Sequence, residues 1–107
     1  MADRPGATRA ALMAAKQRMT AHVIGYVQGV GFRWWIRTRA AQLGLTGWVM
    51  NENDERGVAV VAEGAPAQLD QLERLLWRGP GAARVDRVDA ARAPASGEFE
   101  RFEISRS

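Results

Sequence analysis

Gly25-Tyr26-Val27-Gln28-Gly29-Val30-Gly31-Phe32-Arg33 is the stretch on which the reading of this chain turns. Its left half closes a β-forming run, His22 to Val27, that contains Val23, Ile24, Tyr26 and Val27. Its right half opens a helix predicted from Phe32 to Leu43. There Phe32, Ile36, Ala40 and Leu43 recur at helical spacing, while Arg33, Arg37 and Gln42 fall elsewhere. A strand that passes through two glycines straight into a helix is the first half of a crossover between strands, and such crossovers are right-handed.

The rest of the chain completes the pattern. Gly44 is placed to stop the first helix. Leu45 to Asn51 reads as a second strand, Asn53 to Gly57 as a turn, and Val58 to Glu63 as a third strand, apolar on both faces and so expected at the centre of a sheet. Pro66 opens a second helix with Leu69, Leu72, Leu75 and Leu76 as its buried stripe, and Gly79-Pro80-Gly81 ends it. Val85 and Val88 mark a fourth strand; Phe102 and Ile104 mark a short last one. The order β-α-β-β-α-β predicts an α+β, ferredoxin-like sandwich. It has an antiparallel sheet, two helices on one face and a short extra C-terminal strand.

Composition narrows the chemistry. The chain has 107 residues, enough for one domain with one core, and its apolar and charged shares of 47% and 25% are those of an ordinary globular protein. It contains no cysteine and a single histidine, His22. Thiolate metal sites, disulfides, cysteine nucleophiles and multi-histidine metal sites are thereby excluded, and no metal is expected. No apolar run nears the roughly 20 residues that span a bilayer, so a cytoplasmic protein without membrane partners is expected. The net charge of +3 sits entirely in residues 1–18, where Arg4, Arg9, Lys16 and Arg18 face Asp3 alone; the remainder carries 11 basic and 11 acidic residues. A nucleic-acid partner is therefore not expected. Residues 1–18 read as a basic, alanine-rich extension with helical propensity from Ala7 to Arg18, and residues 19–107 as the folded domain.

The loop itself carries chemistry. Glycines permit positive φ, so that successive N–H groups turn into one concavity. A helix start adds free N–H groups and the positive end of its dipole. Arg33, in the first turn, offers a planar fork that fits two phosphate oxygens. Together these describe a seat for a tetrahedral dianion. Taken alone, the same residues equally describe an ordinary tight turn with a surface arginine.

The full stretch resembles the signature of the acylphosphatase family, Gly-x-Val-Gln-Gly-Val-x-Phe-Arg, met at every fixed position from Gly25 to Arg33. The family's second signature, Gly-Trp-Val-x-Asn, is met from Gly47 to Asn51. The similarity continues through Val60-Val61-Ala62-Glu63-Gly64, Gly79-Pro80 and Phe102-Glu103-Ile104. It implies a small enzyme, free of metal and cofactor, that hydrolyses small acyl phosphates to a carboxylate and inorganic phosphate; nothing in the sequence suggests an oligomer, so a monomer is expected. It also implies that Arg33 binds the phosphate together with the amides of Gln28, Gly29, Val30, Gly31 and Phe32, and that Asn51 orients the attacking water. Two departures touch neither signature. Asp54 is followed by Glu55-Arg56-Gly57 where the family has Asp-Gly, and Ala59 stands where a glutamate is common.

Two other readings compete. An RNA-binding module of the same topology stacks bases on aromatics of its central strands, but Val58-Ala59-Val60-Val61 has none. A phosphate-binding transfer domain would keep the seat and drop the turnover. Among the remaining aromatics, Trp48 is expected in the core beneath the site and Trp77 in packing. Trp34 and Trp35 point about 100° apart, so one of them stays partly exposed. His22 is expected to be structural, and Asp70 to pair with Arg74 along the second helix.

Overall fold

The computed structural model describes residues 15–53 and 56–105. Its elements are β1 (Gln17–Tyr26), α1 (Phe32–Gln42), β2 (Thr46–Asn51), β3 (Gly57–Gly64), α2 (Pro66–Arg78), β4 (Arg84–Pro94) and β5 (Phe102–Ile104). The five strands form one sheet in the order β4-β1-β3-β2-β5. β3 is central, as its two-sided apolarity requires. The four long strands pair antiparallel, whereas β5 runs parallel to β2, so the sheet is mixed rather than wholly antiparallel.

Alternation along the strands sorts the side chains. Met19, Ala21 and Val23 of β1, Val49 of β2, and Val58, Val60 and Ala62 of β3 are fully buried in one cluster with Phe32, Ile36 and Ala40 of α1 and Leu69, Leu72 and Leu76 of α2. Both helices therefore cover the same face. Pro66 stands at the start of α2, where its missing N–H is no loss. Leu75, expected in the stripe, is only half-buried because it lies off the arc defined by positions 69, 72 and 76.

Some expectations need correction. β1 starts at Gln17, five residues before the predicted start, so Gln17 and Arg18 belong to the sheet rather than to a helical extension. The rest of that extension through residue 14, and Asp54 and Glu55 of the predicted turn, lie outside the described residues. Trp48 alternates with buried Val49 and so faces away from the helices, outside the core. Trp77 is 49% exposed. Asp70 pairs with Arg92 of β4, at 2.8 Å, not with Arg74. No described helix is long and apolar enough to cross a membrane.

The face without helices carries a buried carboxylate. Glu63, 4% exposed, accepts from Arg18 Nε (2.7 Å), Ser96 N (2.9 Å), Ser96 Oγ (3.0 Å) and Gly97 N (3.0 Å). Burial alone would push its carboxyl up. The Ser96 amide, Arg18, the Gly97 amide and the Ser96 hydroxyl outweigh that and hold it below the usual carboxylate range.

Candidate active site

Hydrogen-bond register places Asn51 at one end of the core. It pairs with Val58, Val58 with Val23, and Val23 with Val88, which makes one row across four strands. The three valines are buried against the helix layer, and Asn51, in step with Val49, takes the fourth place in that row. Its Oδ1 is buried and meets no hydrogen-bond donor among the described residues. A buried acceptor without a partner costs about 1–3 kcal/mol, and Arg92 Nε on β4 is in the same state among the described residues.

The β1–α1 loop closes over the same end of the sheet. Gly29 and Gly31 have φ of 75° and 78°. A Cβ added at either would meet nothing within 4 Å, so these positions need glycine for conformation, not for space. Val30 packs on the core and Phe32 is fully buried, with Trp35 edge-on to it at 5.7 Å. These apolar anchors hold a loop whose polar backbone stays on the outside. The first backbone amide of α1 to find a carbonyl is that of Trp35, which donates to Gly31 O at 3.0 Å. The amides of residues 32–34 thus lack helical partners, as at any helix start.

Gln28 joins loop to sheet. Its Nε2 donates to Glu52 O (3.0 Å) and Gly57 O (2.7 Å), the carbonyls that follow Asn51 and open β3. Glu52 N in turn donates to Gly57 O (2.9 Å), and Gly25 N to Arg56 O (2.9 Å). The loop and the Asn51 end of β2 are therefore one clamped unit. On the opposite side of the sheet, His22 Nδ1 lies 2.7 Å from Glu52 Oε2.

Arg33 is half-buried in the first turn of α1 and has no carboxylate partner among the described residues. Its side chain lines an open groove of about 770 Å³ with Trp34, Arg37, Arg101, Glu103 and Ile104. Asn51 and residues 28–32 do not line that groove. The structure thus brings the loop against the Asn51 end of β2 and sets Arg33 on the wall of an open groove beside α1. Among the described residues no cluster of three or more His, Cys, Asp or Glu side chains could hold a metal ion.

Sequence reasoning identified the loop but missed the two hydrogen bonds donated by the Gln28 side chain and the groove beside α1. It also left open which tryptophan stays outside: Trp34 is 64% exposed, and Trp35 packs on the core.

Fold and loop define the class: a ferredoxin-like α+β domain whose two-glycine strand-to-helix loop is clamped to one end of the sheet. The profile of the acylphosphatase family matches residues 19–104. A protein of Rhodococcus jostii (strain RHA1) named acylphosphatase is 51% identical over 89 residues, which span 79% of this chain and 99% of that one. The crystal structure of acylphosphatase from Bacillus subtilis superposes with a TM-score of 0.80 at 29% identity, covering 84% of this chain and 99% of that one. An acylphosphatase structure from Coxiella burnetii gives 0.79 at 33% identity, covering 85% and 94%. The chain belongs to the acylphosphatase family.

Proposed function

We propose that this protein hydrolyses small acyl phosphates, with the amides of residues 28–33 and the Arg33 guanidinium binding the phosphoryl group and Asn51 orienting the attacking water. One observation carries the reading: the Gln28 side chain ties the loop to the carbonyl after Asn51 and to the start of β3, so the loop and the Asn51 end of β2 are held as one unit. A water held by the Asn51 side-chain amide would stand beside a phosphoryl group seated on the loop.

The bond changes need little equipment. The water oxygen attaches to phosphorus, and the bond from phosphorus to the acyl oxygen breaks. Its electron pair leaves with the carboxylate, and the water's protons pass to phosphate and solvent. The departing carboxylate is the base of an acid of pKa roughly 4, so no general acid is needed. Phosphoryl transfer then asks for positioning and for neutralisation of the phosphoryl oxygens. Backbone amides and one guanidinium supply the second without a metal.

The test is phosphate release from benzoyl phosphate with excess EDTA present, and p-nitrophenyl phosphate as the monoester control. We expect many turnovers per chain on the acyl phosphate and little on the monoester. In ¹⁸O-labelled water the label should enter phosphate, not benzoate. Arg33→Ala should lower kcat/KM by roughly 10² to 10³, the usual cost of losing one charge-stabilising donor. Release that stops at one equivalent, or a loss under tenfold, would contradict the assignment.

A further inference from the structure

The groove that starts at Arg33 has a charge pattern that phosphate binding does not use up. Its walls carry Arg33, Arg37 and Arg101 against one carboxylate, Glu103. Glu103 is engaged with Arg101, Oε2 to Nε at 2.6 Å. Arg33 is assigned to the phosphoryl group. One cation remains. Arg37 has no carboxylate partner among the described residues, and its guanidinium lies over the ring of Trp34, 5.5 Å from the centroid. Trp34 is 64% exposed, which leaves its ring open to Arg37 and to the groove it lines.

Helix geometry relates the two arginines. Arg33 and Arg37 are four residues apart on α1, hence on one face and about 6 Å apart along its axis. The Trp34 ring restrains Arg37, so less side-chain freedom is lost when that guanidinium meets a ligand. A phosphoryl group at Arg33 would leave its acyl chain room to extend along the channel toward Arg37, between α1 and the β5 residue Ile104.

We infer that this groove is an acyl-group subsite, and that Arg37, braced by Trp34, selects acyl phosphates whose acyl chain ends in a second carboxylate. The inference rests on the proposed hydrolysis and names the substrate class within it. Planar, bidentate pairing of guanidinium with carboxylate gives the selectivity its geometry. Because the groove is open to solvent, the preference should weaken as ionic strength rises.

Succinyl phosphate and butyryl phosphate test it, since they match in chain length and differ in a terminal carboxylate against a methyl group. The wild-type chain should show the higher kcat/KM on succinyl phosphate. In R37Q the succinyl-to-butyryl ratio of kcat/KM should fall about tenfold, with the change in KM rather than kcat, as loss of one charge-assisted pair implies. R37E should lower the ratio further, and R37K should keep only a small part of it, since an ammonium cannot pair bidentately or stack on Trp34 in the same way. Equal kcat/KM for the two substrates in the wild type, or a ratio unchanged in R37Q, overturns this inference and leaves the hydrolysis standing. Hydrolysis of neither substrate by the wild type overturns both.

Discussion

Gln28 is one of nine residues in the loop signature, yet its side chain works at a distance. The carbonyls it bonds belong to residues 24 and 29 positions further along the chain. Both carbonyls lie where the chain leaves β2 and enters β3, so the bond sets how the loop faces Asn51. Gln28→Ala should therefore act as a loss of positioning. We expect a fall in kcat of about tenfold with the fold intact by circular dichroism, because small displacements of bound groups cost rate steeply. Gln28→Glu should do no better, since a carboxylate cannot donate to the two carbonyls. The signature residues themselves were legible in the sequence: Gly29, Gly31, Arg33 and Asn51 could be named from their string alone. What Gln28 touches could not be read there, because no local spacing encodes a contact made across the sheet. The place of Asn51 at the end of the packed row Val88–Val23–Val58 was equally hidden, being a property of strand register.

At the scale of elements, the helices and the central strands were readable because periodicity and punctuation agreed. Phe32, Ile36 and Ala40, or Leu69, Leu72 and Leu76, announce a helix and its buried face together. The start of β1 escaped because Gln17 and Arg18 are polar and owe their strand geometry to partners far along the chain. Gln17 pairs with Gly64 and Pro94, and Arg18 with Glu63 and Ala93. Tertiary pairing overrides propensity here. The same partners set a pH dependence. Because the folded Glu63 carboxyl lies below its ordinary value, the unfolded chain binds more protons in that window. The network's stability is then fully present above the usual carboxylate pKa and is lost as pH falls through the folded one. Glu63→Gln should lower unfolding free energy by about 2 kcal/mol at neutral pH, since it leaves Arg18 and two amides with a poorer partner. Denaturant titrations against pH should show the variant's acid-side slope flattened relative to the wild type. Coincident slopes would mean that Glu63 is not a stabilising acid.

For the whole molecule, the order of elements along the chain and crossover handedness were enough to predict the sandwich, and β3 took the centre that its apolarity required. The direction of β5 was not legible: three residues, Phe102–Ile104, carry no sign of whether they run with or against β2. That direction matters, because β5 brings Arg101, Glu103 and Ile104 to the flank of α1 and so builds the groove beside Arg33. The site is likewise a product of the assembled fold. Its loop follows β1 and its asparagine ends β2, and the sheet together with the Gln28 side chain holds the two segments against each other. The central claim is that these two segments form one phosphate seat. Titration of ¹⁵N-labelled protein with inorganic phosphate, followed amide by amide, tests it most directly. The account predicts saturable shifts that share one dissociation constant at the backbone amides of Gly29 to Arg33 and at the Asn51 side-chain amide. Phosphate that shifts neither segment, or that moves the loop while leaving Asn51 still at saturation, would contradict it.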